Sequence, residues 1–395
     1  MVMILTKKQE EGLKIAVERY RNNEKYTCIA GYAGSGKSTL IKFIIAALDI
    51  DPKDVSYVAY TGKAAAVLQS KGCPNATTAH KLLYKARLMP DGNYRYFPVD
   101  EMEYRVVVVD EISMLPLTMW NRLLRHNCYI LATGDPGQLP PVDKDEDNHV
   151  LDRPHIFLDE IMRQAQDSEI IRLSMWIREG KPLASFPVAN EQVQIFTPGQ
   201  VVSGMYEWAD QILCATNDRR NATNKYMREL RGYGPEPCAG DKIISLHNHW
   251  DDLSINCDWF LTNGTIGTLT DYFKDDFWLP RYIHKGPITT MYSNIELEDG
   301  DGFLDIPIDY QALNTGVASL DGKQIYLIKK NKNIQWQPPY DFAYAYAITC
   351  HKAQGSEWDK VLVFEEGFPF NQEEHKRWLY TAVTRAKEKL VVVRK

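Results

Sequence analysis

The sequence predicts an α/β protein with two parallel-sheet domains, a β-hairpin inserted in the first and a small β-barrel inserted in the second. Three observations carry that prediction. Apolar strand-like runs alternate with amphipathic helical runs over residues 26–133 and again beyond 186, as parallel strands covered on both faces require. A glycine-rich turn joins the first of these strands to its helix. Between 257 and 337 the chain changes to short runs separated by Gly, Asp and aromatic residues, a composition suited to a small barrel.

The elements follow in order. Thr6 can cap a helix reaching Arg21, with Leu13 and Val17 on one buried face. Strands are expected at 27–30, 56–60, 106–109 and 129–133, and helices at 37–48, 63–70 and 119–125. Pro90-Asp91-Gly92 lies between two strand-like runs, a hairpin signal. A second α/β region starts near Phe186, with a strand at 212–216 and a helix at 221–231 that ends before Pro235 and Pro237. Barrel strands are expected at 265–270, 306–310 and 324–329, and helix and strand return at 340–350, 360–364 and 390–393. The expected division is 1–84 with 104–185, a hairpin insertion at 85–103, 186–256 with 338–395, and the barrel at 257–337.

Composition narrows the function classes. With 395 residues, 44% hydrophobic and 25% charged, the chain reads as a multidomain globular protein. A formal net charge of −6 excludes a whole-molecule basic field, so a nucleic-acid partner needs a local groove. Seven cysteines with no C-x-x-C pair read as reduced thiols in an intracellular, cytoplasmic setting. Cys238, His247, His249 and Cys257 match no zinc-finger spacing. No signal peptide or membrane-length apolar run is evident.

The chemistry is carried by three motifs. Gly31-Tyr-Ala-Gly34-Ser35-Gly36-Lys37-Ser38-Thr39 fits the P-loop pattern. Its backbone N–H groups can curl around a polyphosphate at a helix N-terminus, with Lys37 on the outer phosphates and the Ser38 hydroxyl on Mg²⁺. Val106-Val-Val-Val-Asp110-Glu111 ends a buried strand in two carboxylates. Asp110 is placed for the metal and Glu111 for the attacking water. Gly134-Asp135-Pro136-Gly137-Gln138 follows the next strand, where the Gln138 amide can sense the γ-phosphate or the water. The expected ligands are therefore ATP and Mg²⁺.

The ordered set resembles superfamily 1 helicases. It comprises Gly134-Asp-x-x-Gln138 after Asp110-Glu111, then His351-Lys352-Ala-Gln354-Gly355-Ser-Glu357, then Tyr380-Thr-Ala-Val-Thr384-Arg385. The branch it resembles holds RecD-like, Pif1-like and phage Dda-type enzymes, which implies RecA-like motor domains and an SH3-like barrel. The resemblance implies that Gln9 reads adenine, that Arg163 and Arg385 reach the γ-phosphate from two sides, and that Gly355 and Glu357 lie near the ribose. It also implies single-strand contacts at Thr61, Lys63, Thr78, His80, Thr216, Asn217, Thr349 and His351. Tyr60 stands where the family usually has proline. Each lone threonine has the alternative reading of a helix cap. Leu304-Asp305-Ile-Pro-Ile-Asp309-Tyr310-Gln311 lacks the lysine of helicase-associated nucleases and reads as strand.

The expectation is thus a monomeric 5′→3′ motor on single-stranded DNA and forked or tailed duplexes, in replication, recombination or repair, acting with single-strand-binding proteins. The competing reading is a strand-stimulated ATPase that binds or loads without separating strands. Phe97, on the returning strand of the hairpin with Tyr94 and Tyr96, is the expected wedge.

Overall fold

The computed structural model describes residues 5–73, 75–90, 94–140, 144–161, 167–247, 261, 263–297, 302–367 and 371–395. The N-terminal half contains β1 (Tyr26–Gly31), β2 (Val55–Ala59), β3 (Thr77–Thr78), β4 (Tyr84–Leu88), β5 (Tyr94–Pro98), β6 (Val106–Val109), β7 (Tyr129–Gly134) and β8 (Ile156–Leu158). Six of these form a parallel sheet in the order β3-β2-β6-β7-β1-β8. Every side chain of β6 and β7 is buried, as a central parallel strand between two helix layers demands.

β4 and β5 form the expected hairpin, paired antiparallel from Tyr84↔Pro98 to Leu88↔Tyr94. Its turn residues, Asp91 and Gly92, lie outside the described residues. The base is anchored where Leu83 and Tyr84 join the first sheet's core and Val99 N–H donates to the Leu83 carbonyl at 3.0 Å.

The C-terminal half holds β9 (Val193–Phe196), β10 (Gln211–Cys214), β11 (Lys242–Ser245), β12 (Ile266–Trp278), β13 (Pro287–Leu297) and β14 (Gly302–Asp309), followed by β15 (Phe342–Tyr344), β16 (Ala347–Thr349), β17 (Trp358–Phe364) and β18 (Ala386–Val393). A second parallel sheet runs β16-β10-β17-β18-β9. The rest form an antiparallel sheet, β14-β13-β12-β11-β15. Its edges meet where Asp309 N–H donates to the Tyr340 carbonyl at 2.9 Å and Tyr340 N–H to the Pro307 carbonyl at 2.7 Å. The sheet therefore curls back on itself, and it recruits β11 and β15 from outside 257–337.

Three expectations change. Residues 324–329 are helix, not strand, within Gly322–Lys330. Asp321 and Gln324 form a reciprocal capping box there, and Ile325 and Ile328 sit three apart on the buried face. The helix expected at 221–231 starts earlier, at Asn217, because the Thr216 hydroxyl caps it by accepting from Arg219 N–H. The boundary drawn at 185/186 cuts the helix Glu169–Arg178 from its own core. Ile170, Leu173 and Ile177 pack with Trp378 and Tyr380 of the helix Gln372–Val383, in one core with Val361, Leu390 and Val392 of the second sheet. Leu139, from the loop after β7, enters the same core and so joins the halves.

Candidate nucleotide site and strand-facing helix ends

The loop after β1 turns into the helix Lys37–Leu48 through Gly34 and Gly36, at φ +76° and +81°. Such angles suit glycine and aim successive N–H groups into one hollow. Lys37 Nζ donates to the carbonyls of Gly31 at 2.7 Å and Tyr32 at 3.2 Å, across the mouth of the loop. Ser35 is buried, with its hydroxyl lacking a partner among the described residues. Ser38 and Thr39 follow in the first helical turn.

Asp110 sits at the carboxyl end of β6, where the Thr133 hydroxyl donates to Oδ1 at 3.1 Å. Glu111 follows in the left-handed region, at φ +50°. Burial pushes its carboxyl above the ordinary carboxylate range, and Asp110 and Glu357 push the same way against Arg385 and Lys37. Its Oε2 and the Oε1 of buried Gln138 have no hydrogen-bond partner among the described residues. Buried polar atoms left in this state mark a place for water or ligand.

The second half closes over this corner. Arg385 Nη1 lies 3.6 Å from Glu111 Oε1. Its guanidinium is steadied by the carbonyls of Thr381 at 3.1 Å and Ser356 at 3.4 Å. Tyr380 donates to Asp135 Oδ2 at 2.6 Å and accepts from the P-loop Ala33 N–H at 3.1 Å. Leu139 N–H donates to the Thr381 hydroxyl at 2.9 Å, and Gln354 Nε2 donates to the Leu139 carbonyl at 3.1 Å. A cavity of about 270 Å³ opens at the junction, lined in part by Lys71, Asp110, Glu111, Gly355, Glu357 and Arg385. Gly355 has φ +77°, and a Cβ there would stand 2.6 Å from Ala64 Cβ, so only glycine lets the halves approach.

Gln9 is buried rather than exposed on its helix. Its Nε2 donates to the Gly36 carbonyl at 3.3 Å and its Oε1 accepts from Thr6 N–H at 3.0 Å. Arg163 lies outside the described residues. Roles for Asp135, Tyr380, Thr381 and Gln354 were missed, although all four stand inside the quoted motifs. Their partners lie in the other half of the chain, where no local spacing points.

Thr61, Thr78, Thr216 and Thr349 are all helix N-caps. Thr61 follows β2 and Thr78 ends β3, neighbours at one edge of the first sheet, while Thr216 follows β10 and Thr349 ends β16, neighbours at one edge of the second. The hydroxyls of Thr61, Thr78 and Thr216 accept from Ala64, Lys81 and Arg219 N–H. Thr216 also donates to Glu366 Oε1 at 2.9 Å, while its N–H and that of Ala215 donate to Oε2. Asn217, the first residue of that helix, is exposed. Lys63 Nζ lies over the Trp358 ring at 4.6 Å, at the junction of the halves. Burial lowers the pKa of His80 and His351, so both are neutral near pH 7. Phe97 is 40% exposed, with the Arg87 guanidinium 5.2 Å from its ring.

The chain is similar to known proteins along most of its length. An AAA domain family matches residues 5–197, and a UvrD-like helicase C-terminal domain matches 344–393. The ATP-dependent RecD2 DNA helicase of Deinococcus radiodurans is 26% identical over 389 residues, covering 91% of this chain and 46% of that protein. The chain thus spans less than half the length of that curated relative. The ATP-dependent DNA helicase dda of Enterobacteria phage T4 is 30% identical over 149 residues, 36% of this chain and 34% of the relative. The fold matches the Pif1 helicase from Bacteroides in complex with ADP-AlF3 and ssDNA at TM-score 0.56 and 18% identity, over 99% of this chain and 92% of that one. It also matches the Pif1 helicase from Candida albicans at TM-score 0.53 and 20% identity, over 99% and 94%.

Fold and site define a P-loop protein with two RecA-like parallel sheets meeting at one nucleotide corner. In sequence the chain is similar to superfamily 1B helicases of the RecD-like and Dda-type branch, and in fold to Pif1 helicases.

Proposed function

We propose that the protein is an ATP-driven motor that moves 5′→3′ along single-stranded DNA and separates duplex ahead of it. The observation that carries this reading is the approach of Arg385, from the second sheet, to Glu111, from the first, at 3.6 Å. A hydrolysis site completed by residues from two bodies makes their separation depend on the nucleotide. The printed names of two relatives, both ATP-dependent DNA helicases, support the reading.

Each residue has a role in that cycle. The P-loop amides and Lys37 hold the substrate's phosphates, and Gln9 braces the loop beside the adenine. Glu111, its basicity raised by burial, takes the proton of the attacking water. Gln138 orients that water through its unpartnered Oε1. Arg385 stabilises charge developing on the γ-phosphoryl group, a role the family resemblance gives to Arg163 as well. The donor set at the P-loop fits a magnesium ion, which the Ser38 hydroxyl and Asp110 would hold. When bound, that ion neutralises charge on the β- and γ-phosphates.

Strand binding falls to the capped helix ends after β2, β3, β10 and β16, two on each sheet. Backbone N–H groups and hydroxyls contact phosphates without reading bases, as a motor on any sequence requires. His80 and His351, being neutral, serve as hydrogen-bond or stacking partners rather than counter-charges. Glu366 already occupies the amides at Thr216, so a phosphate there must displace it. Phe97 is the wedge at the fork.

The test is ATP-dependent displacement of a strand from a 5′-tailed duplex, with a 3′-tailed control. Displacement from the 5′ tail alone is expected. Unwinding only from the 3′ tail overturns the polarity. Strand-stimulated hydrolysis without displacement makes the protein a loading or binding module.

A further inference from the structure

The end of the long β12–β13 ribbon carries a lobe with its own small core and a charge opposite to that of the chain. Leu279, Ile283, Ile288, Leu320 and Ile328 are buried together there, with Phe277 and Trp336 stacked at 4.4 Å beside them. The helix Gly322–Lys330 is tied to the ribbon turn by side chains. Gln324 Nε2 donates to the Ile283 carbonyl at 2.8 Å, and Asn331 Nδ2 to the Tyr282 hydroxyl at 3.0 Å. The lobe is therefore a defined surface rather than a loose loop.

Over 277–286 and 320–336 the sequence holds six cations, Arg281, Lys285, Lys323, Lys329, Lys330 and Lys332, against one carboxylate, Asp321. All six cations are exposed. That surplus of five positive charges stands in a chain whose formal net charge is −6. Among the described residues no carboxylate pairs with Arg281, Lys285, Lys323, Lys330 or Lys332. The same lobe exposes Trp278 at 67% and Tyr282 at 72%, the two most exposed aromatic side chains among the described residues. Asp275 and Asp276 lie further down the ribbon, where Asp276 accepts from the Thr289 hydroxyl at 2.7 Å.

We propose that this lobe is a second binding surface for single-stranded nucleic acid, separate from the helix ends that face the strand between the two sheets. Unpaired cations attract the phosphodiester backbone, and exposed rings beside them offer faces on which unpaired bases stack. Charge alone would suit any polyanion. Exposed rings among the cations favour one that carries bases. The motor reading is the background to this proposal, and the experiment separates the two.

The full chain is titrated with labelled oligothymidylate over a range of salt, beside Lys323→Ala/Lys330→Ala/Lys332→Ala and Trp278→Ala/Tyr282→Ala. Each phosphate contact on a single strand contributes about 0.7 to the log–log salt slope, so the triple variant should lose about 2 from it. Loss of two stacking rings should weaken binding roughly tenfold or more. Both variants should keep the parent's hydrolysis rate at saturating strand. Photocross-linking of 4-thiothymidine oligonucleotides should label Tyr282 or its neighbours. An unchanged slope, with cross-links confined to the two parallel-sheet domains, overturns the proposal. Preferential capture of a polyglutamate peptide, with strand affinity unchanged, also overturns it and makes the lobe a site for acidic protein segments. A parent that binds the strand but shows no strand-stimulated hydrolysis defeats the motor reading while leaving this surface testable.

Discussion

Arg385 Nη1 stands 3.6 Å from Glu111 Oε1, the one residue at the end of the second sheet's last helix and the other at the end of β6 in the first sheet. Each controls the other's chemistry. The guanidinium counters the rise in Glu111 basicity that burial causes, and the carboxylate faces the arginine across the junction of the two halves.

Hydrolysis should therefore fall on the acid side of an inflection above the ordinary glutamate value of 4.5, because protonated Glu111 cannot accept a proton. Arg385→Gln should move that inflection to higher pH by removing the influence that lowers it. It should also slow turnover by about 10³–10⁵-fold. The pH profile of kcat for the two proteins checks both effects. An inflection that stays in place would mean that the pair is not coupled in the working enzyme. For the fold the sign is opposite to that of a paired carboxylate. A raised pKa makes ionisation of Glu111 oppose folding as pH climbs from 4.5 through the raised value.

Lys37→Ala should reduce ATP turnover to background in a protein that still folds and binds strand. Among the described residues its hydrogen bonds are to the Gly31 and Tyr32 carbonyls, within its own loop. Normal turnover in this variant would remove the P-loop assignment.

Tyr380→Phe deletes one hydroxyl that serves Asp135 and Ala33 at once. Buried Asp135 Oδ2 then loses this donor, at about 1–3 kcal/mol in destabilised closure, and the half-buried Ala33 N–H loses its acceptor. The expected result is a higher KM for ATP and weaker stimulation by strand, with the fold retained. If both parameters match the parent, the contact plays no part in closing the junction.

Phe97→Ala should impair duplex unwinding while sparing strand-stimulated hydrolysis and movement along single strands. Stacking of one base on an exposed ring contributes about 1–3 kcal/mol, comparable with the roughly 1.4 kcal/mol of one DNA stacking step. Parallel loss of all three activities would assign the ring to folding instead.

Arg228→Ala should lower stability by about 3–5 kcal/mol, because it strands the buried Asp241 that Nε contacts at 3.0 Å. Asp241 also accepts from Tyr346 at 2.8 Å and leads directly into β11. Thermal unfolding read separately in the two halves should show the loss in the C-terminal half. No helix among the described residues is long and apolar enough to cross a membrane.

Features written in short windows could be read from the residues. The glycines of the P-loop, the all-valine β6 and the hairpin were legible because backbone geometry and strand burial depend on neighbours within a few residues. Even there the window misled once, at Gly322–Lys330, where a capping box outweighed strand-like composition. Partnership across the chain was decided by tertiary structure alone. Tyr380 and Asp135 are 245 residues apart, and Thr216 and Glu366 are 150 apart. Gln9 was legible as a polar residue but not as a buried brace of the P-loop, and Lys63 not as a cation over Trp358. Motif residues announce which chemistry is present, because that chemistry needs particular groups. Which of those groups touch depends on how two separately folded sheets dock, and no local pattern encodes that.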